Sequence, residues 1–219
     1  MEYFWDGVNQ LEALGEVAAE IRIALADASK SGDWATMIGI LSEYPDYVNS
    51  GRPGGASLFT PLHQVAYSGA PVEIAQRLID LGAFRTIENA RGERPVDVAD
   101  LKGHRHLHDI LKPVLYHHVP EDVLKKIQAN FHTVIRGRID SELPNHNLRL
   151  PELAPLLELR EPSVWFPVPG MYGGFSYELD TAGEEAKLMV SSWSRVVGGS
   201  GQRHEVTARG SELVEEGFV

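Results

Sequence analysis

The chain has 219 residues, 43% of them hydrophobic and 23% charged, with no cysteine. That balance suits a protein able to build its own core and excludes disulfides, cysteine-held zinc and thiol nucleophiles. Lys and Arg number 20 against 31 Asp and Glu, a formal charge of −11, so the summed field argues against nucleic acid and membrane as partners and favours a basic protein.

No apolar run reaches the roughly 20 residues that a membrane helix needs. The opening MEYFWDGVNQ lacks the basic head and apolar stretch of a signal peptide. A cytoplasmic protein is the expectation. The segment VNQLEALGEVAAEIRIALADA then reads as helix-rich. In LADASKSGDWATMIGILSEYPDYVN, Gly32 ends one helix, and Met37, Ile38, Ile40 and Leu41 form the apolar face of the next.

A repeat follows. FTPLHQVAYSGAPVEIAQRLIDLGAFRTIENARGE begins at Phe59 and ERPVDVADLKGHRHLHDILKPVL at Glu93. Laying Thr60-Pro61-Leu62 on Arg94-Pro95-Val96 also lays Gly69 on Gly103, both offsets being 34. Thr60 is placed to cap a helix whose first position is Pro61, where a missing amide costs nothing. Leu62, Val65 and Ala66 give one face, and Gly69 ends the helix. A second helix from about Val72 to Leu81 would bury Ile74, Leu78, Ile79 and Leu81 before Gly82 stops it.

Thr60-Pro61-Leu62-His63, Ala66, Gly69 and LIDLGA at 78–83 resemble an ankyrin repeat, whose signature is a TPLH turn, two antiparallel helices and a loop with a period near 33. The resemblance covers roughly residues 20 to 115. The segment around Gly32 resembles an N-terminal capping repeat, and the longer interval to Gly69 is absorbed by SGRPGGASLF at 50–59, a lengthened hairpin tip. The third repeat departs from the pattern, with Asp97 in place of His and Asp100 where Ala66 stands in the second. The resemblance implies partner contacts at the exposed inner-helix positions Tyr67, Ser68, Leu101 and Lys102, and at tips 50–58 and 87–93, which include Asn89 and Arg91.

The stretch PEDVLKKIQANFHTVIRGRI at 120–139 carries Val123, Ile127, Phe131, Val134 and Ile135 at helical spacing, and is expected to cap the stack. A short helix is expected between Pro151 and Leu159. From Ser163 helical periodicity gives way to strands. SVWFPV comes first, and Phe175, Tyr177 and Leu179 then alternate with polar residues. KLMVSSWSRVV, RHEVTARG and ELVEEGFV follow, joined by links of hairpin length. A mostly antiparallel meander of four or five strands is expected, covered by the Pro151 or the Pro120 helix. In WFPVPGMYGGF, Trp165 or Phe166, with Phe175, should point into the core. Met171 and Tyr172 at the tip remain as partner contacts.

Three chemical patterns compete with plainer readings. VVGGSGQRH at 196–204 offers glycine amides to an anion, but Gln202 stands near the lysine position of a phosphate loop and a strand follows, so a hairpin turn is expected. His104, His106, His108, His117 and His118 cluster, and His104 and His108 could share a metal. No carboxylate or cysteine stands at ligand spacing beside them, so structural histidines are expected. Ser192 or Ser200 with His204 and Glu205 makes a triad on paper, yet no G-x-S-x-G elbow exists. No catalytic residue, cofactor or metal is assigned.

The resulting expectation is an α+β protein: an ankyrin-repeat α-solenoid with its N-terminal helix over 1–115, a helical cap and linker over 116–160, and a small antiparallel β-sheet module over 161–219. Its function would be that of a protein-binding adaptor and not an enzyme. The specific version is an immunity- or antitoxin-like protein that binds a basic partner. The alternative is a small-molecule binder or enzyme with its site in the β module, around Trp165, Tyr172 and Trp193 with Arg195, His204 and Glu205.

Overall fold

Three helices end on a glycine with positive φ, and this repeated stop organises the first half of the chain. Helix α1 (Glu16–Ser31) stops at Gly32, α3 (Pro61–Ser68) at Gly69 and α5 (Pro95–Lys102) at Gly103, with φ of 77°, 65° and 77°, a conformation that only glycine adopts without cost. After each stop the chain turns into a second helix: α2 (Trp34–Glu43), α4 (Val72–Asp80), and a 3-10 turn at Arg105–Leu107 that runs into α6 (His108–Leu111). The computed structural model describes residues 3–142, 148–195 and 199–217. These helix pairs form one compact unit, Val8–Val114; the other unit is Leu115–Val219 together with Met1–Gly7. The fold class is α+β.

Within the first unit α1 packs on α3 and α3 on α5, while α2 packs on α4 and α4 on α6. The seam is filled by Met37, Leu41, Leu62, Val65, Ala66, Ala75, Leu78, Ala99, Leu107 and Leu111, all without exposed surface. Each buried Leu or Met there contributes about 1.5–3 kcal/mol. Alanines at 66, 75 and 99 let the helices approach closely.

Polar ties set the pairs in register. The Thr60 amide donates to His63 Nδ1 at 3.3 Å, which leaves the ring proton on Nε2 to meet the Glu93 carbonyl at 3.1 Å. The start of α3 is thereby fastened to the start of the next pair. In α5 the same task falls to Asp97, which accepts from the Arg94 amide at 2.9 Å and its Nε at 3.0 Å. Substituting Asp for His at this position therefore keeps the cap and loses the reach to a following tip.

The second unit is a five-stranded antiparallel meander in the order β1 (Ser163–Val168), β2 (Gly173–Asp180), β3 (Lys187–Ser194), β4 (Ser200–Thr207) and β5 (Gly210–Gly217). Helix α7 (Glu121–Glu142) packs against β3, β4 and β5. Its buried residues, Leu124, Ile127, Phe131, Ile135 and Ile139, recur every three or four positions and meet the inner face of the sheet. Phe131 lies 5.0 Å from the Tyr177 ring. The 3-10 turn Ala154–Glu158 supplies Leu156 and Leu157.

Two expectations are corrected. The helix at 120–139 falls in the unit of the strands and not in that of the helix pairs, and of its two expected roles it fills that of a cover for the sheet, with Phe131 against Tyr177. Residues 3–7, expected in the helical domain, fall in the unit of the sheet. Trp165 donates to the Tyr3 carbonyl at 2.9 Å, Trp5 donates to the Trp165 carbonyl at 2.8 Å, and Phe4 bridges Trp165 in parallel. The N-terminal segment thus lines the β1 edge.

Candidate functional site

Helices α3 and α5 each bury one face and leave a single large apolar side chain out of it. In α3, Pro61, Leu62, Val65 and Ala66 are buried while Tyr67 is 47% exposed; in α5, Pro95, Val96, Val98 and Ala99 are buried while Leu101 is 71% exposed. Tyr67 and Leu101 occupy equivalent positions 34 residues apart, as do the exposed Ser68 and Lys102. One step beyond a buried position turns a helical side chain by about 100°, which carries these residues off the core face.

The surface is organised. Lys102 Nζ sits 4.1 Å from the centre of the Tyr67 ring. Phe59, half-buried, meets the same ring edge-on at 6.0 Å and stacks on His63 at 5.4 Å. Asp100 accepts from His108 Nδ1 at 3.0 Å. An aromatic and aliphatic strip bordered by Lys102 and Asp100 results, of the residue types that form interface cores. Phe59 carried no signal beyond its place just before the TPLH turn.

The tip at 87–93 divides. Arg91 is exposed, but Asn89 is buried and is not the partner contact expected of it. Its Oδ1 accepts from the amides of Arg91 (2.8 Å) and Glu93 (3.1 Å), and its Nδ2 donates to Glu93 Oε2 at 2.8 Å. Asn89 shapes the tip that presents Arg91. The longer tip at 50–58 is held by the buried Arg22, whose guanidinium donates to the carbonyls of Val8 and Gly51, both at 2.8 Å.

The histidines act as fasteners. His104 Nε2 lies 3.2 Å from the Tyr67 carbonyl and His106 Nε2 lies 3.1 Å from that of Ala70, so two rings close the C-terminal end of α3. His117 Nε2 lies 3.3 Å from the Arg160 carbonyl. Among the described residues no group of three His, Asp or Glu is arranged to hold a metal.

In the sheet unit the stretch 165–175 forms β1, a four-residue turn and the start of β2. Phe166 and Phe175 are buried on the inner face, as expected. Met171 is wholly buried and so is not a partner contact; its carbonyl accepts from the Arg195 amide at 3.2 Å and Ser194 Oγ at 3.3 Å, which pins the turn inward. Tyr172 is 78% exposed with φ of 49°. On the outer face Trp165 and Trp193 stack with ring centres 4.4 Å apart. The pair passes over Gly174, where a Cβ would fall 2.9 Å from the Trp165 ring. Strand alternation carried this signal, since Trp165 and Trp193 fall between the inward positions of their strands. A cleft of about 490 Å³ next to Trp165 is lined by Tyr3, Tyr116, Arg160 and Ser176.

The polar residues of the alternative site do not converge. Glu205 lies on the outer face, ion-paired with Lys187 at 2.9 Å, and Arg195 is exposed beyond the end of β3. Ser192 and His204 share the inner face under α7, where burial and the nearby Arg138 push the His204 ring below its ordinary value despite Glu216. A Ser192–His204–Glu205 triad is therefore split across the sheet. Of the glycine-rich turn at 196–204, residues 196–198 lie outside the described residues, and 200–204 are strand.

No protein-family model matches the chain, and a search of curated proteins returned no match. No helix among the described residues is long and apolar enough to cross a membrane.

Proposed function

We propose that this chain is a protein-binding adaptor whose helical unit is an ankyrin-type stack. The reading is supported by three helix pairs with shared glycine stops, by the Thr60–His63 cap that reaches into the next pair, and by the 34-residue offset between Gly69 and Gly103. The observation that carries the function is the exposure of Tyr67 and Leu101 at equivalent positions of helices whose other apolar residues are buried. Burying such a strip in a complex is favourable, whereas leaving it in water contributes nothing to the fold. The charge of −11 favours a basic partner through its association rate, and an immunity- or antitoxin-like role is the specific form. Affinity purification tests the proposal: the intact chain retains a partner that a Tyr67→Ser, Leu101→Asp variant of equal thermal stability loses. Equal retention by both would refute it.

A second reading is favoured by one observation, the cleft beside Trp165 with its three aromatic walls. It places a small ligand there and predicts quenching of the Trp165–Trp193 fluorescence on binding.

A further inference from the structure

The two edges of the sheet are treated differently. The β1 edge is lined by residues 3–5, and Pro167 removes one of its donors. The β5 edge has no such cover: among the described residues no backbone hydrogen bond joins Gly210–Gly217 to anything but β4. From Ser211 to Gly217 every residue is exposed, Leu213 at 45% and Val214 at 57%. An open strand with exposed apolar side chains is a template for one more strand.

Charge restricts what that strand can be. β5 carries Glu212, Glu215 and Glu216 and no Lys or Arg. Glu212 stands directly opposite Glu205, whose partner Lys187 lies on the far side, on β3. Like charges in direct cross-strand register are destabilising, and opposite charges there are favourable. A second copy pairing along this edge would bring glutamates against glutamates. The shift in register at Arg203/His204, which leaves Val214 as the extra residue, further disrupts a flat, self-complementary edge.

We infer that β5 is an acceptor edge for an extended, lysine- or arginine-bearing segment of another protein, which adds to the sheet by antiparallel or parallel pairing. Main-chain bonds would supply affinity. Cationic side chains next to Glu212 and Glu215 would select the partner, and an aliphatic residue between them would cover Leu213. The residues of this edge are other than those of the helical strip around Tyr67.

The experiment titrates the full chain with three labelled heptapeptides: alternating Lys and Val, alternating Glu and Val, and the Lys-Val peptide N-methylated at alternate residues. The Lys-Val peptide should bind at least about ten-fold more tightly than either of the others, and it should slow hydrogen exchange at residues 211–217. Glu212→Lys with Glu215→Lys should weaken it by a similar factor. Equal binding of the N-methylated peptide would reduce the site to a nonspecific acidic surface and overturn the proposal. Protection of 211–217 in the free chain together with a concentration-dependent dimer would also overturn it, assigning the edge to a second copy.

Discussion

The ammonium group of Lys102 lies over the ring of Tyr67, 4.1 Å from its centre, and joins residues of two successive helices on the surface of the stack. Lys102 is exposed and Tyr67 half-exposed, so the pair contributes about 0.5–1 kcal/mol. Lys102→Met should lower the urea unfolding free energy by no more than that. A larger loss would mean that the lysine holds the helices together and does not merely dress their surface.

Gly69 tests how the helix pairs are stacked. Its φ is 65°, and a Cβ added there would fall 2.6 Å from the His104 ring. Gly69→Ala combines the left-handed penalty of roughly 1–2 kcal/mol with displacement of a ring that closes the end of α3. We expect a loss of at least about 2 kcal/mol in chemical denaturation. The matching change at Gly103, where nothing lies within 4 Å of the added Cβ, should cost only the conformational part.

Gly174 tests the sheet. A Cβ there would fall 2.2 Å from the Phe166 carbonyl oxygen and 2.9 Å from the Trp165 ring. Gly174→Ala should cost about 1–3 kcal/mol or more and should alter tryptophan fluorescence by separating Trp165 from Trp193. Unchanged emission with lowered stability would show that the stack survives the shift.

His132 gives the sheet unit a dependence on pH. Burial pushes its ring below the ordinary 6.5, and Arg136 adds repulsion, although the Pro151 carbonyl at 2.8 Å works in the opposite direction. Burial lowers His204 in the same way. Between the folded pKa and 6.5 the unfolded chain binds more protons than the folded one, so stability is full above 6.5 and falls as the pH drops below it. Urea midpoints measured on either side of that value should show the fall, and His132→Gln should reduce it.

The helix pairs were legible because glycine, proline and the Thr60–His63 cap act locally. A stop at Gly69 or Gly103 depends on no distant residue. The destination of α7 was legible only as a choice between capping the helix pairs and covering the sheet, because a stripe of apolar residues at helical spacing states that a face is buried without naming the surface that buries it. The N-terminal segment joined the sheet through backbone bonds, which leave little trace in side-chain pattern. At the candidate site Tyr67, Ser68, Leu101 and Lys102 were singled out by the resemblance to ankyrin repeats, and the 34-residue offset pairs them. Asn89 and Met171 turned inward because one holds the amides of its own tip and the other fills a core, roles that residue type alone does not announce.

The central claim is that the strip around Tyr67 and Leu101 meets another protein. A photo-crosslinking residue placed at position 101 of the full chain, in its native cell, tests it most directly, with the equally exposed Val17 as control. The account predicts a discrete protein adduct at 101 that is missing at 17. Adducts of equal yield at both positions, or none at 101, would contradict it.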